Sequence, residues 1–149
     1  MNRAEIIIGR GVQSDHVMIR VLGRMHPGCT DFWDGNRLIS PVRVQVGGFI
    51  AEIAAGLRTE ELHSFRAGLE RIYAEVKGRA ILSSREHWVE LTIECRPTGS
   101  LLIFGTIADD PGMWNTLHFV IEGLDQTDIP PLVDALTALE KSFPILGRE

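Results

Sequence analysis

The residue types in this chain that could do chemistry are five histidines, two cysteines and a few neighbouring acids. A metal site needs such ligands at spacings that bring them to one point. His16, His26, His63, His87 and His118 are scattered at spacings that suit no helical metal site, and neither Cys29 nor Cys95 lies in a Cys-x-x-Cys. No metal and no cofactor is expected. Hydrolase, zinc-protease, phosphate-loop and dinucleotide signatures are also absent. Asp109–Asp110 suggests a carboxylate pair, but the Pro111–Gly112 that follows makes a turn the ordinary reading. His63 falls on the solvent side of a helix, and His118 points away from the face shared by Leu117 and Phe119.

The stretch Asp31-Phe32-Trp33-Asp34-Gly35-Asn36 surrounds two large aromatics with turn formers. Such aromatics either fold back over an apolar edge or stand out for a partner. Asp34, Gly35 and Asn36 supply Asx-type hydrogen bonds that would fix the loop. A lid over the sheet with Trp33 in the core is the first expectation, and a partner contact through Trp33 and Asp34 the second. A small-ligand or enzymatic site built around Asp31, Asp34 and Asp109 is a separate alternative. It requires a deep polar pocket with clustered ionisable groups of perturbed pKa.

Strands and helices must position these groups. Residues 4–10 and 17–25 read as strands around a turn at Gly11–Ser14. From Leu38 to Ala55 the chain is strand-like: Val42, Val44 and Val46 alternate with polar residues, and after Gly47–Gly48 the parity switches to Phe49, Ala51 and Ile53. A β-bulge at the glycine pair is the economical explanation, with a tight turn as its alternative. Thr59 opens a helix carrying Leu62, Phe65, Leu69, Ile72 and Val76 at helical spacing, with Gly78 suited to its C′ position. Residues 79–83, 87–96, 100–108 and 116–123 form a second strand run with turns at Arg96–Gly99 and Asp109–Gly112. A last helix begins with Thr127 or Asp128 as cap and Pro130–Pro131 in its first turn, and ends at Pro144.

The predicted fold is therefore α+β: antiparallel β-sheet meanders with two helices packed on one side, in the order β-β-β(β)-α-β-β-β-β-α. The repeated strands-then-helix order hints at an internal duplication. A single domain over residues 1–149 is expected, because 44% hydrophobic residues in a chain of this length can bury a core without staples.

In the second strand run, Val89, Leu91, Ile93 and Cys95 alternate with Trp88, Glu90, Thr92 and Glu94. Leu117, Phe119 and Ile121 alternate in turn with His118, Val120 and Glu122. If the apolar sets face the helices, the opposite face collects Trp88, Glu90, Glu94, His118, Val120 and Glu122, joined by Leu102 and Phe104. An apolar centre with an acidic surround suits docking of a basic partner. A homodimer, or a second layer formed by the N-terminal strands, accounts for the same residues.

The formal charge of −5 argues against a nucleic-acid binder, which needs a basic footprint. No apolar run is long enough for a bilayer span, and Ile6-Ile7-Ile8 is too short for a signal-peptide core. A cytoplasmic protein with two reduced thiols is expected.

Several stretches, taken in order, resemble the WapI family of bacterial immunity proteins. They are Asp31-Phe32-Trp33-Asp34-Gly35-Asn36-Arg37-Leu38, Gly47-Gly48-Phe49, Leu57-Arg58-Thr59-Glu60-Glu61-Leu62, Asn115-Thr116-Leu117-His118-Phe119 and Leu124-Asp125-Gln126-Thr127-Asp128-Ile129-Pro130. The likeness runs from about Val17 to the last helix. The chain departs from it at Arg37 and Asp128, where aromatics are expected. The resemblance implies a non-enzymatic protein that binds a cognate toxin, such as a basic nuclease, and protects the producing cell.

Overall fold

The computed structural model describes residues 4–110, 112 and 115–149. β1 (Ala4–Gly9) and β2 (His16–Val21) form a hairpin. β3 (Gly23–Arg24) leads to one helical turn, α1 (Phe32–Gly35), and then to β4 (Leu38–Ile39), which pairs back onto β3. β5 (Val42–Val46) and β6 (Phe49–Ile53) follow, then the long helix α2 (Thr59–Glu75). The second half holds β7 (Gly78–Ser83), β8 (Val89–Cys95), β9 (Ser100–Ala108) and β10 (Thr116–Asp125). A 3-10 turn over Gln126–Asp128 then delivers the chain into α3 (Ile129–Ser142).

Two antiparallel four-stranded sheets result, ordered β1-β2-β5-β6 and β7-β8-β9-β10. This is the α+β class predicted. Period-2 alternation drives it: Ile6, Val17, Val44 and Ile53 from one sheet and Leu82, Leu91, Ile103 and Phe119 from the other enter one hydrophobic cluster. Leu62, Phe65, Leu69 and Ile72 complete the cluster from α2, and Ile129, Leu132, Leu136 and Leu139 from α3. The two helices touch each other where β1 and β7 form sheet edges. Each packs on the first strand of the opposite sheet, α2 on β7 and α3 on β1. Close approach of α2 to β7 requires Gly68, whose missing Cβ would lie 3.2 Å from Ala80.

Several local expectations are corrected. Gly47–Gly48 is a two-residue hairpin turn and not a bulge: Val46 pairs with Phe49, and Gly47 has φ +54. The bulge in this fold lies in β10, between Ile121 and Leu124. The left-handed residue ending α2 is Val76, φ 52, two positions before Gly78; a β-branched residue is strained there. The N-cap of α2 is Arg58, whose N–H donates to the Glu61 carboxylate at 2.8 Å. Asp128 is the N-cap of α3, within the expected pair, but its carboxylate accepts from the Asp125 N–H at 2.9 Å, while Asp125 caps the preceding 3-10 turn by accepting from the Thr127 N–H at 2.8 Å. His63 is not simply solvated. Its Nδ1 lies 2.8 Å from the Glu140 carboxylate, linking α2 to α3. The expected Asp109–Gly112 turn includes Pro111, which lies outside the described residues, as do Met1, Asn2, Arg3, Met113 and Trp114.

Candidate functional site

The outward face of β7–β10 is built by strand register. Ile81 stands opposite Thr92, Thr92 opposite Phe104, and Phe104 opposite Val120, so one row crosses all four strands. Ile81 is 52% exposed and Val120 55%, with Phe104 half-buried between them. Acids flank this apolar row. On one side Glu90 aligns with Ser83, Thr106 and His118, and accepts a 2.7 Å hydrogen bond from the Ser83 hydroxyl. On the other, Glu94 lies between Arg79 and Leu102 and pairs with Arg79 at 3.4 Å. Glu122 is exposed at the margin. A shallow depression of about 320 Å³ opens between Phe104, Thr106, His118 and Val120.

Nothing among the described residues covers this row. The N-terminal strands pack against the sheet's other side, within the shared core, so they do not form the second layer that could have hidden it. The outer face of the first sheet differs in kind. Its row Ile7–Met18–Arg43–Glu52 contains the ion pair Arg43–Glu52 at 2.6 Å, and Glu5–Arg20 pairs at 3.5 Å two residues along β1 and β2.

Of the residues selected by alternation, the structure brings Glu90, Glu94, Phe104 and His118 onto one face, and Glu122 is exposed in the β10 bulge, out of register with β9. Trp88 is the exception. It precedes β8, after a turn in which His87 adopts φ 64, and it packs against the core with its indole Nε1 buried beside Gly56. Strand parity does not extend into a turn, which is why alternation misplaced it. Ile81 is the residue that sequence reasoning missed. The same parity test, applied to Ala80 and Leu82, would have found it.

Trp33 and Asp34 lie elsewhere, on α1. Phe32, not Trp33, enters the protein interior, and Trp33 remains 49% exposed. Its ring is held by contacts rather than by burial: edge-on to Phe32 with centroids 5.2 Å apart, and beneath the guanidinium groups of Arg58 at 5.4 Å and Arg85 at 5.0 Å. Arg58 is buried and donates to the Phe32 and Trp33 carbonyls, both at 2.7 Å, so it also closes the free carbonyl end of this single turn. At the other end, the Asp31 carboxylate accepts from the Asp34 N–H at 3.0 Å, and that bond holds its carboxyl below the usual range.

The three acids of the alternative site do not converge. Asp31 and Asp34 are exposed, and their carboxylates come within 4.8 Å of each other and of the Cys29 thiol. Asp109 instead borders a cleft with Glu52, Asn115 and Leu117, and accepts a 3.1 Å hydrogen bond from Asn115. Cys29 and Cys95 are both free thiols. Among the described residues, no helix is long and apolar enough to cross a membrane.

A model of the immunity protein WapI-like family matches residues 6–144, nearly the whole chain. Comparison with curated proteins and with solved structures returned no match. The chain belongs to the WapI-like immunity protein family, and that membership implies a role in immunity against a toxin and a cognate toxin as partner.

Proposed function

We propose that this chain neutralises its toxin by direct binding, with the outward face of β7–β10 as the docking surface. The observation that supports the reading is the uncovered row Ile81–Thr92–Phe104–Val120, apolar apart from the Thr92 hydroxyl, with Glu90, Glu94 and Glu122 around it. An apolar centre supplies the free energy of contact, and the surrounding carboxylates select a basic surface and speed encounter with it. A net charge of −5 acts in the same direction. The partner that fits is a basic toxin domain, such as a nuclease, whose site is occluded without any catalytic step. Trp33 and Asp34 are a secondary contact, with Trp33 held ready by its two arginines.

A second copy of the chain fits the face less well. A two-fold contact would bring the acidic flanks of both copies, Glu90, Glu94 and Glu122, to the same interface, with Arg79 as the one lysine or arginine in the register rows. A catalytic or small-ligand site at Asp31, Asp34 and Asp109 lacks the convergence it requires. The test is to mix the purified chain with the toxic C-terminal domain encoded beside its gene. A stable complex with loss of toxicity is expected. A toxin domain that stays free and active at micromolar concentrations of the chain would sink the reading.

A further inference from the structure

The edge of the first sheet presents a different kind of surface. β6 is its terminal strand, paired only with β5. Because the hairpin turn has two residues, the closing pair Val46–Phe49 exchanges its hydrogen bonds, and so do Val44–Ala51 and Val42–Ile53. The N–H and C=O groups of Ile50 and Glu52 therefore point away from β5, and no described residue pairs with them. Protein chains usually blunt such an edge with proline, lysine or a bulge. Here Phe49 is 67% exposed and Ile50 61%, and Glu52 carries the edge's only charge.

Beside this edge lies a cleft of about 380 Å³ between β6 and the β9–β10 end of the second sheet. Ala51, Ile53, Ile107 and Leu117 give it an apolar lining, and Glu52 and Asp109 make its polar margin acidic. A strand added to β6 would bond to Ile50 and Glu52 and turn every second side chain toward the cleft.

We propose that the β6 edge takes up an extended segment of another protein as a fifth strand, one alternating β-branched apolar residues with lysine or arginine. Main-chain pairing gives the contact, the cleft selects the apolar side chains, and Asp109 selects the basic ones together with Glu52, whose carboxylate already holds Arg43 at 2.6 Å and is shared with the incoming cation. A second copy of this chain is disfavoured, because antiparallel β6–β6 pairing centred on Ala51 puts Glu52 diagonal to its own copy. This goes beyond the docking role of β7–β10 and stands whether or not that face binds toxin.

The probe is a short capped peptide of alternating valine and lysine, with a backbone N-methylated version as its control. The peptide should protect the Ile50 and Glu52 amide protons from exchange, and the N-methylated version should not. Ile50→Pro removes an outward donor without touching the β5 bonds, so it should weaken binding at least about tenfold. Glu52→Lys should weaken it similarly and covers the case in which the proline variant does not fold. Wild-type affinity in both folded variants, protection of β7–β10 instead of β6, or no protection at saturating peptide would overturn the proposal. A wild-type dimer dissolved by Glu52→Lys or Ile50→Pro would overturn it in favour of a second copy.

Discussion

Asn36 holds Leu146 across 110 residues of sequence: its Nδ2 donates to the Leu146 carbonyl at 2.9 Å and its Oδ1 accepts from the Leu146 N–H at 2.8 Å. The same Nδ2 donates to the Phe32 carbonyl at 2.9 Å, so one wholly buried amide fastens the chain after α3 to α1. Asn36→Ala leaves the Leu146 N–H and carbonyl without partners, while the Phe32 carbonyl keeps Arg58, at a cost of about 2–3 kcal/mol. Urea denaturation should read that loss, and exchange of the Leu146 amide should accelerate. A variant as stable as the parent would mean that water replaces the carboxamide without cost.

Glu61 and Asp125 predict opposite pH dependences. Burial pushes the Glu61 carboxyl above its usual range, even though it accepts from the Arg58 and Arg85 N–H groups. A raised folded value means that the stability this group contributes is present below its unfolded value and lost as pH rises through the folded one. Relative to Glu61→Gln, the parent should therefore gain stability as pH falls from neutral into the carboxylate range.

Hydrogen bonds from Thr127 hold Asp125 below its usual range. Its contribution is present above the unfolded value and is lost as pH falls through the lower folded one. Asp125→Asn should thus flatten the acid limb of the stability profile. A series of melting curves across acid pH checks both signs, and parallel profiles for parent and variants would contradict them.

The two neighbouring aromatics of α1 should respond unequally. Phe32 is 8% exposed, and Phe32→Ala should cost about 3–4 kcal/mol by opening a cavity. Trp33→Ala loses an exposed ring and two arginine contacts, a cost of about 1 kcal/mol. Its larger effect should fall on toxin affinity. Equal destabilisation by the two changes would place Trp33 in the core after all.

Much of this arrangement was legible because β-strand alternation and helical spacing both report burial directly. Val89–Cys95 and Leu62–Ile72 read correctly for that reason. What escaped depended on register or on distant partners. A parity switch at Gly47–Gly48 fits a bulge and a two-residue turn equally, and only the Val46–Phe49 pairing decides. α1 is a single turn, too short to show a period, and its carbonyls are satisfied by Arg58 from a distant part of the chain and by Asn36 at its own C-cap. The outward acids of β7–β10 could be placed on one face from alternation alone, whereas the openness of that face depends on where the first sheet packs.

The most direct test is the affinity of the Val120→Arg variant for the toxin domain encoded beside the gene, measured by calorimetry alongside its melting temperature. Val120 points outward from an exposed position, so the fold should be unchanged while binding weakens at least about thirtyfold, as for loss of a central contact. Undiminished affinity in a correctly folded Val120→Arg protein would contradict docking through β7–β10.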